Sequence, residues 1–278
     1  MITAKTKITG LIGYPVGHSL SPYMHNAAYE HLGLDFCYVC FPVHPDNLTE
    51  AVRGVRAMDF AGANVTVPHK EHAMAALDEI DEEARFIGAV NTIVNSGGKL
   101  TGYNTDGRGF MRSLAEAGIS LKGKKVFVVG AGGASKAITY YIAKEAASLS
   151  IFDIDEPKLT ALTTHLKTVN PNVFAEKQNC DAIKNHDVII NATPLGLKSD
   201  DPAPFDISLI SASHTVIDVI YKDTPLIKKA KTLHCPTTNG LGMLFWQGVL
   251  AFELWTQTTA PVEIMRKALL VVYEKTVV

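Results

Sequence analysis

The fold of this chain is decided by residues 125–135, which read Lys125-Val126-Phe127-Val128-Val129-Gly130-Ala131-Gly132-Gly133-Ala134-Ser135. The apolar first half predicts a buried β-strand, the glycines predict a tight turn, and a helix-compatible segment starts near Ser135. A second apolar run ends at Asp153, twenty-three residues after Gly130. Strand, glycine turn, helix, strand and acid in this order are typical of a dinucleotide-binding βαβ unit.

Each position of the glycine turn has its own physical reason. Gly130 permits the tight turn out of the strand, and Gly132 lets the backbone approach a pyrophosphate without a Cβ in the way. Amides at the start of the next helix face the phosphates, helped by the helix dipole. The third glycine of the usual pattern is absent, and Ser135 stands there. A mere structural turn is the alternative, but the strand, helix and acid in register favour cofactor binding by Gly130, Ala131, Gly132, Gly133, Ala134 and Asp153.

The bulk composition is ordinary for a compact enzyme. The chain has 278 residues, 47% of them hydrophobic and 19% charged, and its net charge is −2. Such a charge gives no electrostatic case for nucleic acid or an anionic membrane, and no apolar run approaches the ~20 residues that span a bilayer. We expect a small-molecule substrate and a monomer or homodimer. Met1–Gly10 has no signal-peptide core, so we also expect a cytoplasmic location.

The cysteines and histidines predict no metal site. Four cysteines are too few for a disulfide scaffold in a chain of this size. Cys37 and Cys40 lie in an apparent strand, where residues three apart point to opposite faces, so buried thiols are the favoured interpretation. His69 and His72 could share a helix face, but no zinc motif surrounds them.

Alternating strand and helix patterns predict an α/β protein of two domains. Residues 1–105 are the predicted substrate domain, which helices in 241–278 complete, and residues 106–240 are the dinucleotide-binding domain, with a cleft between the two. The predicted strands are Ile8–Ile12, 35–43, Ala63–Val67, Ala89–Val94 and Leu100–Tyr103 (a hairpin across Asn95–Gly98), Val126–Val129, Leu149–Phe152, Val173–Ala175, Val188–Asn191 and Val216–Val219. The predicted helices include Ser21–Leu32, Leu48–Met58, Lys70–Leu77, Gly107–Ala117, Leu241–Leu254 and Val262–Tyr273.

Four segments carry polar groups that packing alone does not require. The first presents Ser19 and Ser21 in a glycine- and proline-rich loop; capping of the next helix would explain Ser21 but not Ser19. The second places Asn64 and Thr66 on one face of a short strand, with Lys70 just past its carboxyl end, where open α/β sheets bind ligands. A solvated lysine is the ordinary alternative. The third and fourth segments contain Asn91 and Asp106, and Asp106 could also simply cap a helix.

Seven motifs in order resemble those of one family. They are His-Ser-x-Ser-Pro, Gly-x-Asn-Val-Thr-x-Pro-x-Lys, Ala-Val-Asn-Thr, Asn-Thr-Asp-Gly, Gly-Ala-Gly-Gly-Ala, Asn-Ala-Thr-Pro-x-Gly and Gly-x-x-Met-Leu-x-x-Gln, from about residue 10 to residue 255. This order is similar to that of the shikimate dehydrogenases, including the quinate/shikimate dehydrogenases.

The resemblance implies an oxidoreductase that interconverts shikimate and 3-dehydroshikimate with a nicotinamide cofactor. It implies that Lys70 and Asp106 are the catalytic pair. A lysine beside a carboxylate can hold the reacting oxygen and move its proton. The substrate residues that the resemblance implies are Ser19, Ser21, Asn64, Thr66, Lys70, Asn91, Asp106, Tyr221 and Gln247, and further cofactor residues are Thr193, Val219 and Gly240.

Two positions depart from the family pattern. Members that use NADP commonly have Asn-Arg-Thr where this chain has Asp153-Ile154-Asp155. Two carboxylates without the arginine would repel a 2′-phosphate, so we expect NAD to be preferred over NADP. Asn239 replaces the usual aspartate before Gly240. The alternatives are an aminoshikimate dehydrogenase and a non-catalytic NAD-binding regulatory module, although the latter would not need both Lys70 and Asp106.

Overall fold

The computed structural model describes residues 2–176, 181–198 and 200–277. Internal contacts divide the chain into two units. Unit 1 comprises residues 1–105 and 247–278, and unit 2 comprises residues 106–246. The second division lies inside a continuous helix, later than position 240, where the sequence pattern changes.

The described part of unit 1 contains a mixed sheet flanked by helices. Its strand order is β2-β1-β3-β5-β6-β4, in which β1 pairs in parallel with β2 and β3, and β5 pairs antiparallel with β3 and β6. Val52, Val65 and Ile93 belong to its fully buried core. The elements are β1 (Lys7–Gly13), α1 (Ser21–His31), β2 (Phe36–Pro42), α2 (Leu48–Ala57), β3 (Gly62–Val65), β4 (Glu79–Ile80), α3 (Glu82–Ile87), β5 (Thr92–Ser96) and β6 (Lys99–Tyr103).

Two predicted segments of unit 1 are wrong in detail. The helix predicted over Lys70–Leu77 is a single 3₁₀ turn, His72–Ala76, because the Lys70 carbonyl accepts its hydrogen bond from the Val90 N–H at 2.8 Å instead. The hairpin turn is only Gly97-Gly98, both with positive φ, which is the geometry of a two-residue turn. The short elements β4 and α3 were not predicted.

The described part of unit 2 contains a parallel sheet of order β12-β11-β10-β7-β8-β9. This is the doubly wound arrangement. All strands are parallel, and the order in which they are added to the sheet reverses between the first and fourth strands, here β7 and β10. The elements are α4 (Asp106–Glu116), β7 (Lys125–Val129), α5 (Gly133–Glu145), β8 (Ser148–Phe152), α6 (Glu156–Leu166), β9 (Val173–Glu176), β10 (Val188–Asn191), β11 (Thr215–Asp218), α7 (Pro225–Thr232) and β12 (Thr237–Thr238).

Two helices end the chain. Helix α8 (Leu241–Thr256) starts in unit 2 and continues into unit 1, and α9 (Val262–Val277) packs against α1 within unit 1. Within the described ranges, no helix is both long and apolar enough to cross a membrane. The fold class predicted from the sequence, an α/β protein with a doubly wound dinucleotide-type sheet, is confirmed.

Candidate active site

Asn64 is the centre of a buried polar cluster in unit 1. It lies in β3 and is almost fully buried. Its Nδ2 donates to the Asn91 carbonyl and to the Thr92 hydroxyl, both at 3.1 Å. Its Oδ1 accepts from the Tyr38 hydroxyl at 2.8 Å. Both amide hydrogens of Asn64 therefore have partners inside the protein, and its oxygen has one.

Asn91 lies immediately before β5 and is oriented by the segment that precedes α4. Its Oδ1 accepts from the Thr105 N–H at 2.8 Å and from the Thr92 hydroxyl at 2.9 Å. Its Nδ2 donates to the Thr105 hydroxyl at 2.9 Å. A backbone N–H can only donate, so the bond from Thr105 fixes which end of the Asn91 amide is the oxygen.

The Ser19–Ser21 loop approaches β2. The alternative interpretation of Ser21, that its side chain caps α1, does not hold: the N-cap is Leu20 without a side-chain bond, and Ser21 is the first helical residue. The Ser19 hydroxyl accepts from the Ser21 N–H at 3.3 Å and lies near the Cys40 thiol, and the buried Ser21 side chain lies near the Tyr38 phenol. Burial raises the pKa of the Cys40 thiol. Ser21 and Asn64 are therefore both close to the Tyr38 hydroxyl.

Lys70 and Thr66 follow β3 at its carboxyl end. Lys70 is half-buried, and its backbone is fixed by Val90 as described above. Thr66 lies just beyond the strand, and its N–H donates to the Ile12 carbonyl at 2.9 Å. The sheet therefore places both residues at the edge where parallel β1 and β3 end, which is where open α/β sheets bind ligands.

The other predicted substrate residues belong to α8 and to unit 2. Gln247 is buried on α8, and this helix is fixed on the unit 1 sheet by the Trp255 indole, which donates to the Ile93 carbonyl at 2.9 Å. Asp106 is buried and is the first residue of α4, and Tyr221 is half-buried beyond β11.

The glycine turn of unit 2 has the geometry that the sequence predicts. Gly130 has φ +114°, and a Cβ on it would lie 2.9 Å from the Ala192 carbonyl oxygen, so only glycine fits without strain. A Cβ on Gly132 would meet no described atom within 4 Å, so the backbone is open to a ligand there. Ser135, in place of the third glycine, is fully buried and donates to the Gly130 carbonyl.

Asp153 follows β8 and faces the glycine turn. Its Oδ2 accepts from the Ala131 N–H at 2.6 Å and its Oδ1 from the Asp155 N–H at 2.8 Å. Asp155, and not Asp153, caps α6 and pairs with Lys158 at 2.7 Å. The hydrogen bond to Lys158 lowers the pKa of the Asp155 carboxyl. Between the two acids, Ile154 is 94% exposed.

The loops after β10 and β11 are organised around Asn191. Its Oδ1 accepts from the N–H and the hydroxyl of Thr193, at 3.0 and 2.7 Å, and its carbonyl accepts from the Val219 N–H at 2.9 Å. A Cβ on Gly240 would lie 1.9 Å from the Val219 carbonyl oxygen, so Gly240 must lack a side chain. Asn239 caps this turn, because its Oδ1 accepts from the Leu241 N–H at 3.1 Å; an aspartate could do the same.

Asp218 is a buried acid that the motifs did not reveal. It is fully buried at the end of β11, and burial raises its pKa above the usual range. Its oxygens accept from the Ile220 N–H, the Thr224 hydroxyl and the Asn191 Nδ2, at 3.0, 2.7 and 3.1 Å. Its structural role is to hold the loop that precedes Tyr221. Tyr38, Thr92 and Thr105 were likewise not assigned from the sequence, although Thr92 and Thr105 lie inside the quoted motifs.

Comparisons with known proteins identify the family of the chain. Residues 11–93 match the family model described as shikimate dehydrogenase substrate binding domain, and residues 240–270 match the shikimate 5'-dehydrogenase C-terminal domain. A shikimate dehydrogenase (NADP(+)) of Desulforamulus reducens is 44% identical over 279 residues, covering 96% of each chain. The chain belongs to the shikimate dehydrogenase family. Members of this family are oxidoreductases that use a nicotinamide cofactor.

Two solved shikimate dehydrogenases show the structural similarity. One in complex with NADP+ has a TM-score of 0.90 and 40% identity, with 98% of this chain and 97% of that chain covered. One from Listeria monocytogenes, in complex with shikimate and NAD, has a TM-score of 0.86 and 37% identity, with 96% and 98% covered. The open backbone at Gly132 and the α5 N-terminus of unit 2 fit a nicotinamide dinucleotide. Over the described residues, no cluster of His, Cys, Asp and Glu side chains could hold a metal ion.

Proposed function

We propose that the protein interconverts shikimate and 3-dehydroshikimate, using a nicotinamide cofactor. The observation that carries the proposal is the buried polar cluster of Asn64 and Asn91, in which Asn64 lies on β3, the strand that precedes Lys70. A small polyol carboxylate has little apolar surface, so its site needs many donors and acceptors held in fixed directions. Membership of the family supplies the substrate class.

The chemistry of the reaction requires a proton-transfer group, a role that we assign to Lys70. A nicotinamide cofactor, when bound, would supply the hydride acceptor for the carbinol carbon. The substrate hydroxyl must lose its proton at the same time, and the Lys70 Nζ is the group we assign to accept it and, in the reverse direction, to protonate the carbonyl oxygen. The Asp106 carboxylate is assigned to orient that hydroxyl together with Lys70.

We further propose that NAD is preferred over NADP. The relatives named above include a shikimate dehydrogenase (NADP(+)) and a complex with NADP+, so the proposal rests on this chain's own residues. The Asp153 carboxylate is fixed beside the glycine turn, where it suits ribose hydroxyls, and Ile154 offers no cation to a 2′-phosphate. A phosphate there would meet carboxylates without a bidentate partner, at a cost of about a few kcal/mol.

A steady-state matrix of shikimate and quinate against NAD and NADP tests both proposals. We expect shikimate turnover with either cofactor and a higher kcat/KM with NAD. Turnover of an amino analogue alone would favour the aminoshikimate alternative. Binding of NADH without turnover of any cyclic polyol would favour the regulatory module. Equal kcat/KM for NAD and NADP would refute the cofactor preference but leave the substrate proposal standing.

A further inference from the structure

We propose that Thr92 is a positioning residue whose hydroxyl bridges the side-chain amides of Asn64 and Asn91 and holds both in place for the substrate. This inference rests on the proposed function, because it concerns how the same site recognises its substrate. Thr92 is the first residue of β5, its side chain is fully buried, and it lies between the two asparagines.

The directions of the hydrogen bonds that join Thr92 to the two asparagines follow from one backbone donor. The Thr105 N–H donates to the Asn91 Oδ1 at 2.8 Å, so this atom is the amide oxygen. The Thr92 hydroxyl therefore donates to the same Oδ1 at 2.9 Å. Because a hydroxyl has a single hydrogen, the Thr92 oxygen can then only accept, and it accepts from the Asn64 Nδ2 at 3.1 Å.

The same chain of donors fixes Asn64. Its second N–H donates to the Asn91 carbonyl at 3.1 Å, and its Oδ1 accepts from the Tyr38 hydroxyl at 2.8 Å. Asn64 thus has no remaining hydrogen to donate and presents only an oxygen lone pair. Asn91 uses one N–H on the Thr105 hydroxyl, which leaves its second N–H for a ligand within the described cluster.

Asn64 and Asn91 consequently favour one orientation of a bound polyol. A substrate hydroxyl at Asn64 must donate its hydrogen, and a substrate oxygen at Asn91 must accept one. Removing the Thr92 hydroxyl leaves one Asn64 N–H without its acceptor and removes one of the three hydrogen bonds that hold the Asn64 amide. A buried amide that loses its partner costs about 1–3 kcal/mol, which is paid either in substrate binding or in stability.

Thr92→Val is the test, with Thr9→Val as a matched control. Thr9 is also fully buried in the unit 1 sheet, on β1, but its hydroxyl contacts the Tyr29 hydroxyl at 2.9 Å and no proposed substrate residue. We expect Thr92→Val to lower kcat/KM for shikimate about 10- to 100-fold, mainly through KM, with the cofactor KM within about twofold. Thr92→Ser keeps the hydroxyl, so its kcat/KM for shikimate should stay within about threefold of that of the unmodified protein.

The control separates positioning from stability. Thr9→Val should lower the Tm by about as much as Thr92→Val does, because both lose a buried hydroxyl. Its kcat/KM for shikimate should stay within about twofold of that of the unmodified protein. If Thr92→Val fails to fold, Thr92→Cys, which keeps the volume and a weaker donor, should show an intermediate loss. Shikimate binding by calorimetry, without cofactor, should weaken in parallel.

Three results would overturn the inference. The first is a kcat/KM for shikimate in Thr92→Val or Thr92→Cys that is within about twofold of the unmodified protein. The second is a loss of kcat/KM in Thr92→Ser as large as that in Thr92→Val. The third is an equal loss of kcat/KM in Thr9→Val. If the unmodified protein binds and turns over no shikimate, the proposed function fails as well, whereas turnover that Thr92→Val leaves unchanged refutes this inference alone.

Discussion

At the scale of single residues, the chemistry of the proposed site rests on Lys70. Its backbone is fixed by the bond between its carbonyl and the Val90 N–H, so truncating the side chain should not disturb the fold. We expect Lys70→Ala to lower kcat about 10²–10⁴-fold, the range that a general acid–base group supplies, with cofactor affinity unchanged by calorimetry. Lys99→Ala, which removes an exposed lysine paired with Glu79, is the control. Near-normal turnover in Lys70→Ala would restore the interpretation of a solvated lysine.

The proposed preference for NAD over NADP is assigned to Asp153 and Ile154. Asp153 also holds the Ala131 N–H, so Asp153→Asn is a cleaner change than Asp153→Ala, because it removes the charge and keeps one acceptor. We expect Asp153→Asn to lower the ratio of kcat/KM with NAD to kcat/KM with NADP. The double variant Asp153→Asn with Ile154→Arg should favour NADP, because the arginine supplies a bidentate cation. An unchanged ratio in the double variant would show that specificity is set elsewhere.

His25 makes the stability of the protein depend on pH. The ring is fully buried, stacked on Tyr38 at 4.4 Å, and neither of its nitrogens has a partner in the described structure. The titratable side chains that face it are Tyr29 and Tyr38, and Phe252 and Trp255 complete the enclosure. Burial lowers the pKa of His25 from 6.5 to about 3.

The sign of this dependence follows from the lowered pKa. Between pH 6.5 and about 3 the unfolded chain binds a proton that the folded protein does not, so stability falls as the pH falls. This group contributes a slope of at most about 1.4 kcal/mol per pH unit. In denaturant titrations His25→Phe should lose that slope. His69→Phe, which removes a bond to the Val43 carbonyl, should instead lose stability at pH 7. The same acid slope in His25→Phe would contradict the assignment.

At the scale of elements, α4 packs closely on α5 within unit 2. A Cβ on Gly107 would lie 2.5 Å from both the Ala137 carbonyl oxygen and the Tyr141 ring. Gly107→Ala should therefore lower the free energy of unfolding by about 1–3 kcal/mol. Gly54→Ala in α2 is the counterpart, because its Cβ would meet only the flexible end of Met58, and it should stabilise by up to about 1 kcal/mol. Thermal unfolding distinguishes the two, and a stabilised Gly107→Ala would refute the close packing.

Elements with a strong local pattern could be predicted from the sequence. The β7 strand and its glycine turn were predicted, because the apolar run and Gly130 act within a few residues. The 3₁₀ turn after Lys70 could not be predicted, because the competing hydrogen bond comes from Val90, which is distant in sequence. The local sequence around Ser21 is equally compatible with a cap and with a site residue, and only the structure shows that the N-cap of α1 is Leu20.

Site residues, too, could be predicted only where the local sequence marks them. Asn64 and Asn91 stand out because a polar amide in an apolar strand has no packing reason to be there. Tyr38 lies in an apolar run where an aromatic residue is ordinary, so nothing local indicated that its hydroxyl would contact Asn64. Thr92 is equally ordinary in a strand, and only the directions of its hydrogen bonds reveal its role.

At the scale of the whole molecule, two units supply different parts of one proposed reaction. Unit 1 holds the polar cluster and Lys70, and unit 2 holds the glycine turn, Asp106 and Asp153. The proposed reaction therefore uses residues of both units. We propose that the units close over bound substrate. Small-angle scattering should show a smaller radius of gyration with shikimate and cofactor than without, and an unchanged radius would contradict closure.

The most direct test of the central claim is the stoichiometry of product formation. The unmodified protein is incubated with shikimate and NAD, the reduced cofactor is followed by its absorbance, and the organic product is identified by mass spectrometry. We predict one ketone, two mass units lighter than shikimate, for each cofactor reduced, because a hydride and a proton leave the same carbinol. Binding of both ligands without formation of reduced cofactor or ketone, with NADP as well as NAD, would contradict the account.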